Sequence, residues 1–521
     1  MKLAQVVPTI VALGAGIAMS ISWLHEAWFG AIWAAMVLHM SFVNRDSRVA
    51  ATVQTWLFGT IALCFSFYWA VETLAYTLDM ERSDLVPQFV FVGLILWESI
   101  PFACLGWLVA KQHQTFRILW LAPLGWIVLE RFWPKVFPWS FAHSQTAFLE
   151  ILQVGELGGV YLVSAVFLYA CLGVASQFRV DRRQYRTEAV ISLTLLLGTV
   201  TYGALRIRQL HEDTTAETVR VGVVQISPAW VDSTEKMRKA SDELGSGIDL
   251  FIWPESTFGS MATSINSLEE IVRDVAVVRP PFINAEPAKK LGASLLVGGR
   301  NFTPETSEEG PYWQTAFLFN EQGEISGRYN KRHLIPIGEY VPFENYFPAL
   351  HEMAQLPDYM TFGYSDAPIV DPHGPAIGVL ICYEDLVEDA ARKTSLGGAQ
   401  FLVCMINASA FDTPAALEQH RRLSLFRAIE NRRYFVRCAG TGISCVIDPT
   451  GKQLKRLGPL EEGSFAQDIP LLDQPTVYQH FGYLFPWFAL VCVVARLSTG
   501  RKVSLDDKLL GSQKSVYREP Q

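Results

Sequence analysis

Apolar residues are spread very unevenly along this chain. Between residues 1 and 207 they form seven long blocks, near 3–23, 27–44, 51–79, 86–110, 116–133, 147–176 and 188–207, with an eighth near 479–496. Most are close to the ~20 residues that a helix needs to cross the hydrocarbon core of a bilayer. A single such block is compatible with a buried soluble helix. Seven in succession predict a multi-pass α-helical membrane domain over 1–207, because only helices and closed barrels satisfy their own backbone in lipid. The third and sixth blocks exceed the usual length and predict tilt or projection beyond the bilayer. The first is followed by further spans and has no clear small-residue cleavage site, so it reads as a retained helix.

From 215 to 475 the pattern changes to that of a soluble domain. Short apolar runs rich in β-formers, at Val219–Ile226, Ile248–Trp253, Ala293–Gly298, Ala376–Ile381 and Phe401–Ile406, predict strands covered on both faces. Helical periods fall near 233–244, 268–278, 384–394 and 414–430. Thr315–Asn320 and Glu324–Tyr329 form a hairpin around Glu321-Gln-Gly323, and Tyr434–Val446 with the Asp448-Pro-Thr-Gly451 turn closes the domain. Strands alternating with helices predict a layered α/β fold, sheets inside and helices outside. The block at 479–496 then returns to the membrane.

Composition and charge narrow the picture. Half of the 521 residues are hydrophobic and 18% are charged, against roughly 25% in soluble proteins. The net charge of −8 and the lack of a basic patch interleaved with aromatics argue against a nucleic-acid partner. With a cytoplasmic N-terminus, the inner connections hold Arg45, Arg48, Lys111, Arg117, Arg179, Arg182, Arg183 and Arg186, and the tail adds Arg496, Arg501 and Lys502. The outer ones hold Arg82, Arg131, Lys135, Arg206 and Arg208, a bias of about two to one that places 208–478 outside the cytoplasm. Cys64, Cys104, Cys171 and Cys492 sit in apolar blocks, and Cys382, Cys404, Cys438 and Cys445 in the soluble domain, with spacings that match no zinc pattern. Cys438 and Cys445 read as parts of two strands around glycines, not as a bridge.

The chemistry gathers at three strand ends. Ala376–Ile381 stops abruptly at Cys382-Tyr-Glu-Asp385, Ile248–Trp253 leads through Pro254 to Glu255, and the hairpin is followed by Lys331. A thiol near its ordinary pKa is weakly ionised at neutral pH and needs a base or a nearby cation. A carboxylate, an ammonium and a thiol supply a base, an oxyanion clamp and a nucleophile for acyl transfer. Glu339 is placed to orient Lys331 or assist the base, and Tyr383 and Glu384 to shape the elbow and the acceptor site. Trp230, Phe343 and Tyr346 are candidate substrate contacts; a lid over 333–365, rich in Phe347, Leu350, Met353 and Met360, would dip into lipid. His333 and His420 are not required once Glu255 is the base. No cofactor or metal is implied, since there is no Cys/His group or phosphate loop.

The contexts Trp253-Pro-Glu255, Tyr329-x-Lys331-x-x-Leu-x-Pro-x-Gly-Glu339 and Cys382-Tyr-Glu384 resemble the nitrilase, or carbon–nitrogen hydrolase, superfamily, which implies an αββα sandwich and a Glu-Lys-Cys triad. Together with the apolar half, and with Phe137-Pro-Trp139, His143-Ser-Gln145 and Gly158-Gly-Val-Tyr161, the chain is similar over nearly its full length to the apolipoprotein N-acyltransferase family. That resemblance implies a phospholipid acyl donor, a diacylglyceryl-modified apolipoprotein acceptor, a monomer in the bacterial inner membrane and a periplasmic catalytic domain. The chain departs from the family pattern at Gln314 and at Ala408–Ala410. A membrane-tethered amidase or nitrilase, in which water resolves the thioester, stays open as an alternative. A transporter or scaffold fits less well, since the spans read as poor in charge.

Overall fold

The computed structural model describes residues 3–498, apart from 79, 116–118, 137, 180–181, 213–215, 228–232, 263–285, 303–311, 337, 342–345, 348–359, 371–373 and 412. The helix expected at 268–278 therefore lies outside the described residues, as do Trp230, Phe343, Leu350, Met353 and Phe137.

Each of the seven apolar blocks is helical. They form α1 (Leu3–Leu24), α2 (Gly30–Phe42), α3 (Arg48–Ser66) with α4 (Ala70–Thr77), α5 (Leu85–Glu98) with α6 (Ile100–Thr115), α7 (Leu121–Phe132), α8 (Leu149–Leu152) with α9 (Gly155–Gln177), and α10 (Arg186–Glu212). Among the described residues, five helical stretches are long and apolar enough to cross a membrane: Val6–Leu24, Arg48–Ser66, Leu85–Ala110, Gly155–Gln177 and Arg182–Glu212. α2 and α7, of 13 and 12 residues, are shorter than a full span, and Gly482–Ser498 is a shorter apolar helix. α10 turns Val190, Leu193, Leu197 and Leu205 outwards; so broad an apolar face belongs in lipid.

The extra length of the third and sixth blocks is taken up by breaks, not by tilt alone. The third divides at Phe67–Trp69. The sixth kinks at Gly158–Gly159, where Gly159 has φ +68 and a Cβ would come within 2.7 Å of the Tyr478 ring. Only glycine fits that backbone.

The expected lack of charge in the spans is corrected by Glu98 and Glu130, both buried in α5 and α7. They are tolerated because each binds the irregular segment that follows α7. Glu98 accepts from Val136 N–H (2.9 Å) and Trp139 Nε1 (3.2 Å), and Glu130 from Phe141 N–H (2.9 Å) and Trp126 Nε1 (2.6 Å). Backbone that leaves helical geometry at this depth must find such partners.

The soluble domain contains two sheets. The first has the order β13-β1-β2-β4-β5-β6, with β3 on β4: β1 Thr218–Gln225, β2 Leu250–Ile252, β3 Phe258–Ala262, β4 Ser294–Phe302, β5 Tyr312–Phe319, β6 Ile325–Asn330 and β13 Gly463–Pro470. The second has the order β12-β11-β10-β9-β8-β7: β7 Ile369–Val370, β8 Ala376–Ile381, β9 Phe401–Ile406, β10 Phe435–Ala439, β11 Cys445–Ile447 and β12 Gln453–Arg456. Alternation along the first sheet explains the layering. Val221, Val223, Leu250 and Ile252 pack with Val379, Ile381 and Val403 of the second sheet, whereas Val224, Phe251, Trp253 and Leu295 face the helices Ser233–Asp242 and Glu286–Leu291. Helices Glu388–Leu396 and Pro414–Asn431 cover the second sheet. The result is an αββα sandwich. Every cysteine is free, and the Cys438 thiol donates to Val224 O (3.3 Å) and Ile252 O (3.2 Å) between the sheets.

Candidate active site

Glu255, Lys331 and Cys382 leave the C-terminal ends of β2, β6 and β8, so a single edge of the sandwich brings them together. Each end is built locally. After β2, Ser256 takes φ 60 and Thr257 Oγ1 closes on Pro254 O at 2.8 Å. β4 can pass close beneath because it has Gly298 there, where a Cβ would come 2.7 Å from Glu255 Cα. Lys331 follows β6 with its N–H on Gln314 O (2.8 Å) and its C=O on Gly363 N–H (2.7 Å). Cys382 stands at φ 50 as β8 turns into the short turn Cys382–Asp385. A non-glycine residue in the left-handed region marks a sharp elbow that its surroundings must hold.

The three side chains are almost dry, at 5%, 0% and 9% exposure. The Glu255 carboxylate accepts from Asn407 N–H at 2.8 Å, and the Cys382 thiol lies 3.9 Å from Asn407 O. Lys331 Nζ donates to Glu339 Oε1 at 2.5 Å, and the other Glu339 oxygen takes Ile335 N–H at 2.9 Å. Glu339 thus touches the lysine.

Electrostatics separates the three groups. Burial pushes the Glu255 carboxyl up to about 7, with Lys331 pulling it down and Glu339 pushing it further up. Burial works against the Lys331 charge, yet Glu339, Glu255 and Cys382 together hold its pKa above the ordinary lysine range. Burial, and then Glu255, push the Cys382 thiol well above its ordinary range, and Lys331 does not reverse this. The cation beside the cysteine therefore does not produce a standing thiolate. A carboxyl whose pKa lies at about 7 is a group that can exchange a proton at neutral pH.

Glu384 has a larger structural task than its neighbour Tyr383, which is half-buried. Its two oxygens accept from Tyr329 OH (2.9 Å to each), Arg332 N–H (2.8 Å), His333 N–H (3.1 Å) and Ile381 N–H (2.9 Å). One buried carboxylate thus clamps the lysine segment to the cysteine elbow. Losing it would strand several buried donors, each costing about 1–3 kcal/mol.

Of the substrate-contact candidates, Tyr346 lies within the described residues and is 80% exposed. Phe347, Phe362 and Tyr364 are also exposed. The departure at Gln314 has a use: its Nε2 donates to Ser256 Oγ at 3.0 Å while its C=O holds Lys331, so it ties the lysine strand to the glutamate turn. At the second departure Ala408 is buried, and Asn407 still delivers its N–H to Glu255.

Three further residues form a network that sequence reasoning did not assemble: Asp385, His420 and Arg437. The signal was present in β10, where an arginine interrupts the apolar Phe435-Val-Arg-Cys-Ala439 and must have a buried partner. Two of the membrane half's motifs reach the seam between the two halves. His143 lies edge-on to Phe426 at 5.2 Å, and Val160 N–H, freed by the kink in α9, donates to Glu430 Oε1 at 3.2 Å.

Comparison with known proteins matches both halves. The carbon-nitrogen hydrolase family matches residues 220–473, and the apolipoprotein N-acyltransferase N-terminal domain matches residues 15–173. The apolipoprotein N-acyltransferase of Geobacter metallireducens is 27% identical over 95% of this chain and 95% of its own. That of Synechocystis sp. is 26% identical over 83% of this chain and 88% of its own. Among solved structures, an amidase from Nesterenkonia sp. is 20% identical with a TM-score of 0.36, covering 50% of this chain and 92% of that one. With a carbon–nitrogen hydrolase unit following the membrane unit in one polypeptide, the chain belongs to the apolipoprotein N-acyltransferase family.

Proposed function

We propose that this chain moves an acyl chain from a phospholipid, through a thioester on Cys382, to the α-amino group of the diacylglyceryl-modified N-terminal cysteine of an apolipoprotein. The observation that carries the reading is the convergence of Glu255, Lys331 and Cys382 in one dry site of a chain that also has the family's membrane unit. In the first step Cys382 Sγ bonds to the ester carbonyl carbon as its proton passes to Glu255. Lys331 Nζ, with its other protons free of Glu339, stabilises the oxyanion. Collapse breaks the carbon–oxygen bond, Glu255 returns the proton to the departing alcohol, and a lysophospholipid leaves. In the second step the acceptor amine attacks the thioester and gives a proton to Glu255; the carbon–sulfur bond breaks and the thiol is restored.

Mass spectrometry of the purified chain incubated with phospholipid is expected to show one acyl adduct on Cys382. Addition of a diacylglyceryl lipopeptide should discharge it as N-acylated peptide. Discharge to free fatty acid at the same rate with and without the peptide would instead mark a membrane-tethered hydrolase.

The arrangement that suits this chemistry has seven spans over 1–207, the catalytic domain over 215–475 and a return span over 479–496. It places the catalytic domain of a monomer on the periplasmic side of the inner membrane, where phospholipid and exported apolipoprotein meet. Arg179, Arg182, Arg183 and Arg186 hold the last connection inside. A phosphatase reporter active only after export should be active when fused after Glu212 and silent after Arg186. Reversed activities would overturn the span count.

A further inference from the structure

Two successive carboxylates anchor the cysteine elbow in opposite directions. Glu384 ties it to the lysine segment. Asp385, fully buried, ties it to the far side of the second sheet: its Oδ1 lies 3.0 Å from His420 Nε2 and its Oδ2 accepts from the Arg437 guanidinium. An ionised carboxylate only accepts, so His420 presents its Nε2 proton to Asp385. The same Arg437 nitrogen donates to Ser424 Oγ at 2.5 Å, and Ser424 stands one turn beyond His420 on Pro414–Asn431. The elbow is thereby fastened to one helix face and to β10 at once.

The opposite face of that helical turn grips the membrane half. Gln419 Nε2 donates to Ser66 O (2.9 Å) and Trp23 O (3.3 Å), and its Oε1 accepts from Trp69 Nε1 (3.1 Å). Arg422 Nη1 donates to Ser22 O (3.1 Å) and Trp23 O (3.0 Å), and Arg421 pairs with Glu26 at 2.5 Å. Ser22 and Trp23 lie in the last turn of α1 and Ser66 closes α3, and the last carbonyls of a helix have no partner within it and favour a cation. Residues 419 and 422 share one face while 420 and 424 share another, so one turn reads the membrane helices on one side and the elbow on the other. Phe411 adds a second link, its ring 5.7 Å from Trp69 and 5.8 Å from His420.

We propose that His420 and Arg437, acting through Asp385, are positioning residues for Cys382, and that α1 and α3 set their place by holding the Gln419–Arg422 turn. The elbow of this chain is pre-organised by its membrane half. The inference rests on Cys382 as nucleophile, and its test separates the two.

The full chain, in detergent or nanodiscs, is compared with His420→Ala, His420→Gln and Trp69→Phe. Three quantities are read: the rate of Cys382 alkylation by iodoacetamide, the split between kcat and KM for acyl-enzyme formation from phospholipid, and Tm. His420→Ala is expected to slow alkylation and kcat by about 10- to 100-fold, the effect of a small misplacement of a reacting group, with KM unchanged. His420→Gln, whose amide can still donate to Asp385, should recover most of that loss. Trp69→Phe, which removes the indole N–H to Gln419 but keeps an aromatic ring beside Phe411, should slow alkylation several-fold from the other half of the molecule. Wild-type alkylation in a folded His420→Ala chain, or equal losses in the Ala and Gln variants, would overturn the proposal. Should His420→Ala not fold, a wild-type rate in Trp69→Phe overturns it alone. If Cys382 of the unsubstituted chain neither alkylates nor acylates, the nucleophile reading itself falls, and this inference with it.

Discussion

Cys382→Ser is expected to abolish N-acylation of a lipopeptide, lowering the rate by several orders of magnitude, while leaving expression, membrane insertion and Tm near those of the unsubstituted chain. The substitution is nearly isosteric in a site that is 9% exposed, so the elbow, the Glu384 clamp and the Asp385 anchor all persist. What changes is the proton. Burial and Glu255 already raise the thiol well above its usual range, and an alcohol in the same place is harder still to ionise. Proton transfer from an alcohol to a base with a pKa of about 7 is far more uphill than from a thiol in a site built for sulfur, and sulfur's greater intrinsic nucleophilicity is lost as well. The check is the acyl adduct by mass spectrometry, with lipopeptide product measured in parallel. Retention of more than about a tenth of the activity would remove Cys382 from the nucleophile's role, since loss of a covalent-catalysis residue costs far more.

The parts of this site that were legible in the sequence are those encoded by single strand ends. β8 and β9 run over Ala376–Ile381 and Phe401–Ile406, as their unbroken apolar runs predict, because a strand buried on both faces has no alternation to blur its limits. A carboxylate, lysine or thiol at the end of such a run is visible as an abrupt change of character. β13 was missed for the opposite reason. Gly463-Ser-Phe-Ala-Gln-Asp-Ile-Pro470 is half-exposed and polar, and its identity as a strand comes from pairing antiparallel with β1 along all eight residues. β4 runs on to Phe302 through Gly-Gly-Arg-Asn, a stretch with no strand signal of its own. The same limit applies to partners. Nothing local says that Glu384 serves four donors from two segments, that Gln314 spans from Ser256 to Lys331, or that Asp385 reaches across to His420 and Arg437. Spacing also misleads on the thiol: Lys331 beside Cys382 suggests a thiolate, whereas burial outweighs the cation.

Glu255→Gln and Lys331→Ala are both expected to block thioester formation, and the pH profile tells their roles apart. In the unsubstituted chain the rate of acyl-enzyme formation should rise through about pH 7 and then level. Below that value the Glu255 carboxyl, raised first by burial and then by Glu339, carries its own proton and cannot accept another; above it the carboxylate is free to act. Glu255→Gln removes the base, so the rate should fall by about 10²- to 10⁴-fold and the limb near neutrality should vanish. Lys331→Ala keeps the base but removes the oxyanion clamp, a loss of about 10²- to 10³-fold. It also leaves Glu255 and Glu339 without the buried cation between them, and Lys331 is the influence that pulls the Glu255 pKa down. The residual limb should therefore move to higher pH. Single-turnover formation of acyl-Cys382, followed by mass spectrometry from about pH 5 to about pH 9, reads both effects. A flat profile in the unsubstituted chain, or an acyl-enzyme formed at the normal rate by Glu255→Gln, would take the general base away from Glu255.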